Sequence, residues 1–214
     1  MVIKTRSLPN LGTLESQLSD DTIDNFWKTI EEAKINPQNM KPKLAGNISS
    51  SLSLNKSSPY LKDFHYKVLP AFTQKYLDTF NGPPVKFLSS KEIKCEFVLE
   101  SLWVNFQKKH EFNPLHDHGG ALSFVIWMKI PTSFENQKQL SIVKNTKVTD
   151  LVSNFSFVYN DILGNPRTFV YYMEKSLEGN MVMFPSRLHH QVYPFYECDQ
   201  ERISISGNIG IKST

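Results

Sequence analysis

Apolar residues recur at helical spacing in the first part of the chain and at alternate positions in the rest, with the change near residue 93. In residues 20–34, Ile23, Phe26, Trp27, Ile30 and Ala33 share one helical face, and Asp20 or Asp21 stands where an N-cap belongs. An amphipathic helix with one buried side is expected there. Residues 36–58, rich in Pro, Asn, Ser and Lys, read as a loop interrupted by the apolar stretch Leu44-Ala45-Gly46. A second helical segment covers 59–80 and carries Leu61, Phe64, Val68, Phe72, Tyr76 and Phe80. Pro70 either kinks it or splits it in two, and Gly82-Pro83-Pro84 ends it.

Beyond that point the segments are short, aromatic and β-branched, and turn residues separate them. The clearest strand is 122–130, where Leu122, Phe124, Ile126, Met128 and Ile130 form one apolar face and Pro131 closes the run. Further strands are expected near 97–107, 154–160, 167–173, 180–184 and 201–209, with Leu163-Gly164-Asn165-Pro166 and Glu178-Gly179-Asn180 as turns. Helices followed by a run of short antiparallel strands predict an α+β fold. Such a run can close as a double-stranded β-helix, a cupin-like jelly roll whose narrow interior holds a ligand, with the amino-terminal helices expected to pack on the outside. The whole of 1–214 is expected to form one domain, with 1–90 as mainly helical support and 91–214 as the core.

Composition narrows the function classes. The chain is 40% hydrophobic and 21% charged, which suits a globular protein and is too apolar for disorder. The net charge of +3 is spread without a like-charge block and gives no argument for nucleic acid or a membrane surface. The first residues lack the apolar core of a secretory signal and no stretch is long enough to span a bilayer, so a cytoplasmic protein is expected. Cys95 and Cys198 stand apart, outside any metal or disulfide spacing, and read as reduced thiols.

Four of the six histidines fall into two pairs, His116 with His118 and His189 with His190, each beside an expected strand end. On an extended backbone residues i and i+2 project to one face, so His116 and His118 can converge on a metal while Asp117 points away. A third ligand from a distant strand, His189 or His190, would complete one face of a coordination sphere and leave positions open for a co-substrate and O2. The spacing alone suits zinc as well as iron.

The stretch Phe184-Pro185-Ser186-Arg187-Leu188-His189-His190-Gln191-Val192-Tyr193-Pro194 is followed by Arg202-Ile203-Ser204-Ile205-Ser206-Gly207-Asn208. It is preceded by Asn113-Pro114-Leu115-His116-Asp117-His118-Gly119-Gly120-Ala121-Leu122-Ser123-Phe124-Val125. Together these resemble the small 2-oxoglutarate- and Fe(II)-dependent oxygenases often encoded by marine bacteriophages and bacteria, over roughly 95–210. In that family Phe-Pro-Ser, a short spacer and His-x-Val lead to the distal iron ligand, which by position is His190, with His189 its neighbour. The family's Arg-x-Ser signature falls on Arg202 and Ser204. Such a pair suits the distal carboxylate of 2-oxoglutarate: the guanidinium is a permanent cation with a planar donor fork, and a hydroxyl on the same strand face adds a hydrogen bond.

The resemblance therefore implies Fe(II) held by His116, His118 and His190, and 2-oxoglutarate as co-substrate on Arg202 and Ser204. It further implies O2 and a small-molecule or peptidyl substrate that is hydroxylated, in the host cytoplasm where a phage encodes the enzyme. Trp103, Asn105, Gln107, Trp127 and Tyr193 are the candidates to shape the substrate pocket. The wider superfamily usually has His-x-Asp or His-x-Glu where this chain has His-x-His. A three-histidine site lacks the carboxylate's charge and leaves 2-oxoglutarate as the main anionic ligand. Two variants stay open: Asp117 ligating through an irregular backbone at Gly119-Gly120, or a His-Gly-Gly form without the second ligand. Two rival readings stand beside the oxygenase: a cupin-type metalloenzyme that does not use 2-oxoglutarate, and a non-catalytic β-sandwich.

Overall fold

The computed structural model describes residues 4, 10–80, 95–144, 146, 147 and 149–213. The expected Gly82-Pro83-Pro84 stop and the Cys95 side chain lie outside them; Cys198 is a free thiol. The first helix, α1 (Asp20–Ile35), buries Phe26, Thr29, Ile30 and Ala33. Its N-cap is Ser19 rather than either aspartate: Thr22 N–H donates to Ser19 Oγ at 3.3 Å, while Asp20 and Asp21 sit in the first turn. There their charge favours the positive end of the helix dipole. The second helical segment begins with a 3-10 turn, Pro59–Leu61, passes through a π-helical stretch, Phe64–Val68, and continues as α2 (Leu69–Phe80). Leu69 N–H reaches back five residues to Phe64 O. The wider turn thus comes just before Pro70, whose ring supplies no N–H, and the proline sits in the first turn of α2 where none is needed.

Among the described residues, ten strands form two sheets of antiparallel pairs. The larger has the order β1 (Leu14–Gln17), β8 (Asn180–Pro185), β5 (Leu122–Lys129), β10 (Arg202–Ser213), β3 (Cys95–Gln107), β2 (Ser50–Ser53). The smaller has the order β4 (Asn113–His116), β9 (His189–Val192), β6 (Phe155–Asn160), β7 (Pro166–Tyr171). This is the double-stranded β-helix. A one-turn helix, α3 (Phe134–Gln137), follows β5. The stretch expected to be loop, 36–58, supplies β2 as an edge strand, and β1 adds a second edge strand from the amino-terminal part.

Alternation along the central strands sorts side chains between two cores. Leu102, Val104 and Phe106 of β3, Leu122, Phe124, Ile126 and Met128 of β5, and Ile203, Ile205 and Ile209 of β10 join Phe26, Ile30, Leu61, Phe64 and Tyr76 from the helical segments. The helices therefore cover the outer face of the larger sheet. Phe64 links the layers, with ring centroids 4.8 Å from Phe26 and 5.5 Å from Phe124. Edge-to-face pairs of this kind contribute about 0.5–1.5 kcal/mol beyond the area they bury. The opposite faces, with Val125, Trp127, Val182 and Phe184, meet Phe155, Phe157 and Tyr171 of the smaller sheet. Both faces of β5 are covered, and it is buried along nearly its whole length.

Candidate metal centre

At one end of the space between the sheets, β4 and β9 pair antiparallel with His116 directly opposite His190. The turn after β4 carries His118 back over them, anchored by His118 N–H donating to Ser186 O at 2.8 Å. The chain then leaves through Gly120, at φ 91°, where a Cβ would lie 2.9 Å from Ile209 O; a side chain there is excluded on both counts. The ligand-competent nitrogens of His116, His118 and His190 all lie within 4.8 Å of one another. His189 is exposed on the other face of β9, and the Asp117 carboxylate accepts from Arg187 Nη1 at 3.2 Å. The cluster is thus built from His118 and His190, not from Asp117 or His189.

Ring orientation follows from the backbone. His116 Nδ1 lies 2.7 Å from Pro114 O, and His190 Nδ1 lies 2.9 Å from Leu188 O. A carbonyl only accepts, so in both rings Nδ1 carries the proton and Nε2 presents a lone pair. His118 Nε2 stands 3.1 Å from His190 Nε2 and is the donor of that contact. Burial, then the neighbouring imidazoles, holds His118 down to about 4 and His190 to about 3, while His116 is lowered chiefly by burial. Neutral, buried imidazoles, two of them presenting Nε2 lone pairs and the third one tautomer away from it, are the form that binds a divalent transition metal. His190 is fixed by packing as well, between the rings of Phe155, Phe157 and Phe184 at 5.7, 6.2 and 5.0 Å.

The histidines open into a cavity of about 190 Å³, which Arg202, Ser204 and Ser206 of β10 also line. Arg202 is 3% exposed. Its Nη2 donates to Ser153 Oγ at 2.6 Å and its Cζ lies 5.0 Å from the Phe195 ring centroid, yet Nε and Nη1 are buried with no partner. These two are the only such side-chain atoms among the described residues. Burial pulls the guanidinium down to about 9, which leaves it cationic at neutral pH. A buried cation with two free donors in one plane has the chemistry of a carboxylate receptor.

Trp103, Asn105, Gln107 and Trp127 line the cavity as expected, whereas Tyr193 is 39% exposed and does not. Sequence reasoning missed the part of the lining that comes from 41–48: Lys41, Lys43, Leu44, Ala45, Gly46 and the buried Ile48. The apolar interruption at Leu44-Ala45-Gly46 was its one visible signal. It also missed Ser153 and Phe195, which no spacing rule marks.

Fold and site together define a class: a jelly-roll protein whose cavity joins a histidine triad suited to a metal with a buried arginine suited to an anion. The family model described as "Putative 2OG-Fe(II) oxygenase" matches residues 101–208. The chain belongs to the 2OG-Fe(II) oxygenases, oxidoreductases that use Fe(II) and 2-oxoglutarate. No curated protein matches it. Among solved structures it is similar to a Pseudomonas putida prolyl-4-hydroxylase, at 10% identity and TM-score 0.52, covering 94% of this chain and 92% of that one. It is also similar to SnoN, a non-haem α-ketoglutarate-dependent epimerase of nogalamycin biosynthesis, at 12% identity and TM-score 0.56, covering 94% and 78%. At such identities these two show the fold alone. No helix among the described residues is long and apolar enough to cross a membrane.

Proposed function

We propose that the protein is a hydroxylase that couples 2-oxoglutarate decarboxylation to oxidation of a C–H bond. In this reading His116, His118 and His190 hold the iron, and Arg202 and Ser204 hold the distal carboxylate of 2-oxoglutarate. The observation that carries it is the pair of orphaned Arg202 donors in the cavity of the histidine triad. A buried guanidinium without a counter-ion costs several kcal/mol unless an anion answers it. A cupin-type metalloenzyme without 2-oxoglutarate would leave that charge unanswered.

Bound Fe(II), with O2 as the four-electron oxidant and 2-oxoglutarate as the co-substrate oxidised to succinate and CO2, would supply the oxidising chemistry. The chain's own part is to orient and to exclude water. His116 and His190 offer Nε2 lone pairs because their Nδ1 protons are committed to Pro114 O and Leu188 O. To hold the metal through Nε2, His118 would take its other neutral tautomer, with the proton on Nδ1. Val125, Trp127 and Phe155 wall the cavity with apolar surface, and the rings of Trp103 and His118 stand 5.8 Å apart, edge to face.

A small-molecule or peptidyl substrate enters past Lys41, Lys43 and Leu44. The neighbours include a prolyl hydroxylase and an epimerase, so the shared fold does not choose between the two substrate classes. The same reading makes the enzyme a cytoplasmic protein of the kind encoded by marine bacteriophages and bacteria, with residues 1–214 as one domain. The test is an anaerobic titration of the Fe(II)-loaded protein with 2-oxoglutarate, followed by the visible charge-transfer band of a chelated keto acid. A band saturating at one equivalent is expected. Bound iron with no band would assign the histidines to other chemistry.

A further inference from the structure

Resting on that reading, we propose that Ser153 is a positioning residue for 2-oxoglutarate: its hydroxyl aims the Arg202 fork into the cavity while leaving the arginine's charge free for the co-substrate. Ser153 is fully buried and is one of three non-glycine residues with positive φ among those described, at 62°. Serine has no intrinsic preference for that conformation, so the surroundings impose it. Ser153 N–H donates to Pro194 O at 3.0 Å, and Tyr193 N–H donates to Asn154 O at 3.0 Å. The two segments are stitched on either side of Ser153. Their shared product is a guanidinium fixed from two directions, by Ser153 Oγ on Nη2 and by the Phe195 ring at its face.

The chemistry of the holder matters. An arginine in a protein interior is usually held by a carboxylate, which orients it and neutralises it together. Here no acid forms a salt bridge with Arg202 among the described residues. A neutral hydroxyl takes up one Nη2 hydrogen and sets the plane of the fork, and Nε and Nη1 stay unanswered. Thr132 Oγ1, 3.3 Å from Ser153 Oγ, supplies a further polar contact from the β5–α3 turn. Orientation without neutralisation is what a receptor for a second anion requires.

The experiment compares two keto acids on the full-length, Fe(II)-loaded protein by anaerobic calorimetry: 2-oxoglutarate, and 2-oxobutyrate, which keeps the keto acid end but lacks the distal carboxylate. Ser153→Gly removes the hydroxyl and accepts the positive φ without strain. It should weaken 2-oxoglutarate roughly tenfold, the scale of one charge-assisted hydrogen bond, and leave 2-oxobutyrate and iron content unchanged. Ser153→Asp also tolerates positive φ, but it puts a carboxylate on Arg202 and should weaken 2-oxoglutarate more than Ser153→Gly does. A serine that merely packs would leave the ratio of the two affinities unmoved in both variants. That result, with Arg202→Ala still losing 2-oxoglutarate, overturns the role of Ser153 alone. If Arg202→Ala also keeps full 2-oxoglutarate affinity, the assignment of Arg202 fails and the Ser153 proposal falls with it.

Discussion

At one end of the cavity three imidazoles face one another, neutral and with two of their second nitrogens tied to backbone carbonyls; at the other a single guanidinium keeps its charge and two donors in reserve. Both ends are buried, and burial acts on them in opposite ways. It strips protons from histidines and so prepares lone pairs for a cation. It cannot neutralise an arginine at working pH, so the charge persists and prepares the site for an anion. The proposed metal end comes from the smaller sheet and the turn after β4, and the proposed anion end from β10 of the larger sheet. Each sheet contributes one half of the proposed receptor.

The largest effect should come from removing a nitrogen donor. His116→Ala and His190→Ala are each expected to abolish stoichiometric iron binding, read as metal content after anaerobic reconstitution. Asp117→Ala should keep it, since that carboxylate is engaged with Arg187 on the rim. Iron retained in His190→Ala, or lost in Asp117→Ala, would break the contrast between the two ends at its metal side.

Arg202→Ala acts on the other end. It should weaken 2-oxoglutarate by about 2–5 kcal/mol, the usual loss when one partner of a buried charge pair is truncated, with iron still bound. Arg202→Lys should recover little of this, because an ammonium lacks the planar fork and cannot stack on Phe195 in the same way. Equal loss of iron and 2-oxoglutarate in Arg202→Ala would mean that the two ends are not separable.

Much of this was legible in the chain, for physical reasons. The β5 pattern is visible because one face meets the helices and the other the smaller sheet. The histidine clusters are visible because they are rare and tightly spaced, but strand alternation does not place His118, which lies in the turn after β4. His190, Arg202 and Ser204 were picked out by the resemblance, and Arg202 and Ser204 do share a face of β10. What escaped was structure that leaves no side-chain pattern. β1 and β2 are four-residue edge strands, mostly polar, recruited by backbone pairing to strands far away in sequence. Their Ser50-Ser51-Leu52-Ser53 and Leu14-Glu15-Ser16-Gln17 sequences read as loop. Ser19 was passed over for its acidic neighbours because cap geometry turns on one torsion and one hydrogen bond. Ser153 lies outside every strand, and its contact with Arg202 spans a separation that only the folded chain closes.

The smallest effect lies in the buried chain of hydroxyls that ties the two ends together. Ser123 Oγ on β5 donates to Asn208 Oδ1 on β10 at 2.9 Å, and it lies 3.0 Å from Ser186 Oγ at the end of β8. Having spent its single proton on Asn208, Ser123 must accept from Ser186, which fixes the direction of the chain. The same Ser186 receives His118 N–H and donates its own N–H to Ala121 O, so the network braces the turn that carries a histidine against the strand that carries Arg202. Ser186→Ala removes a donor and leaves Ser123 with its better bond intact, a cost of about 1 kcal/mol. Ser123→Ala strands the buried Ser186 donor, at about 1–3 kcal/mol, and leaves the half-buried Asn208 acceptor to water. Urea denaturation of the metal-free protein should therefore rank Ser123→Ala as the more damaging substitution, although the two remove the same atom. The double variant should lose less than the sum of the two, because the second deletion removes a group the first has already left unpaired. The opposite ranking would mean that the proton runs the other way and that the turn is held by its backbone bonds alone.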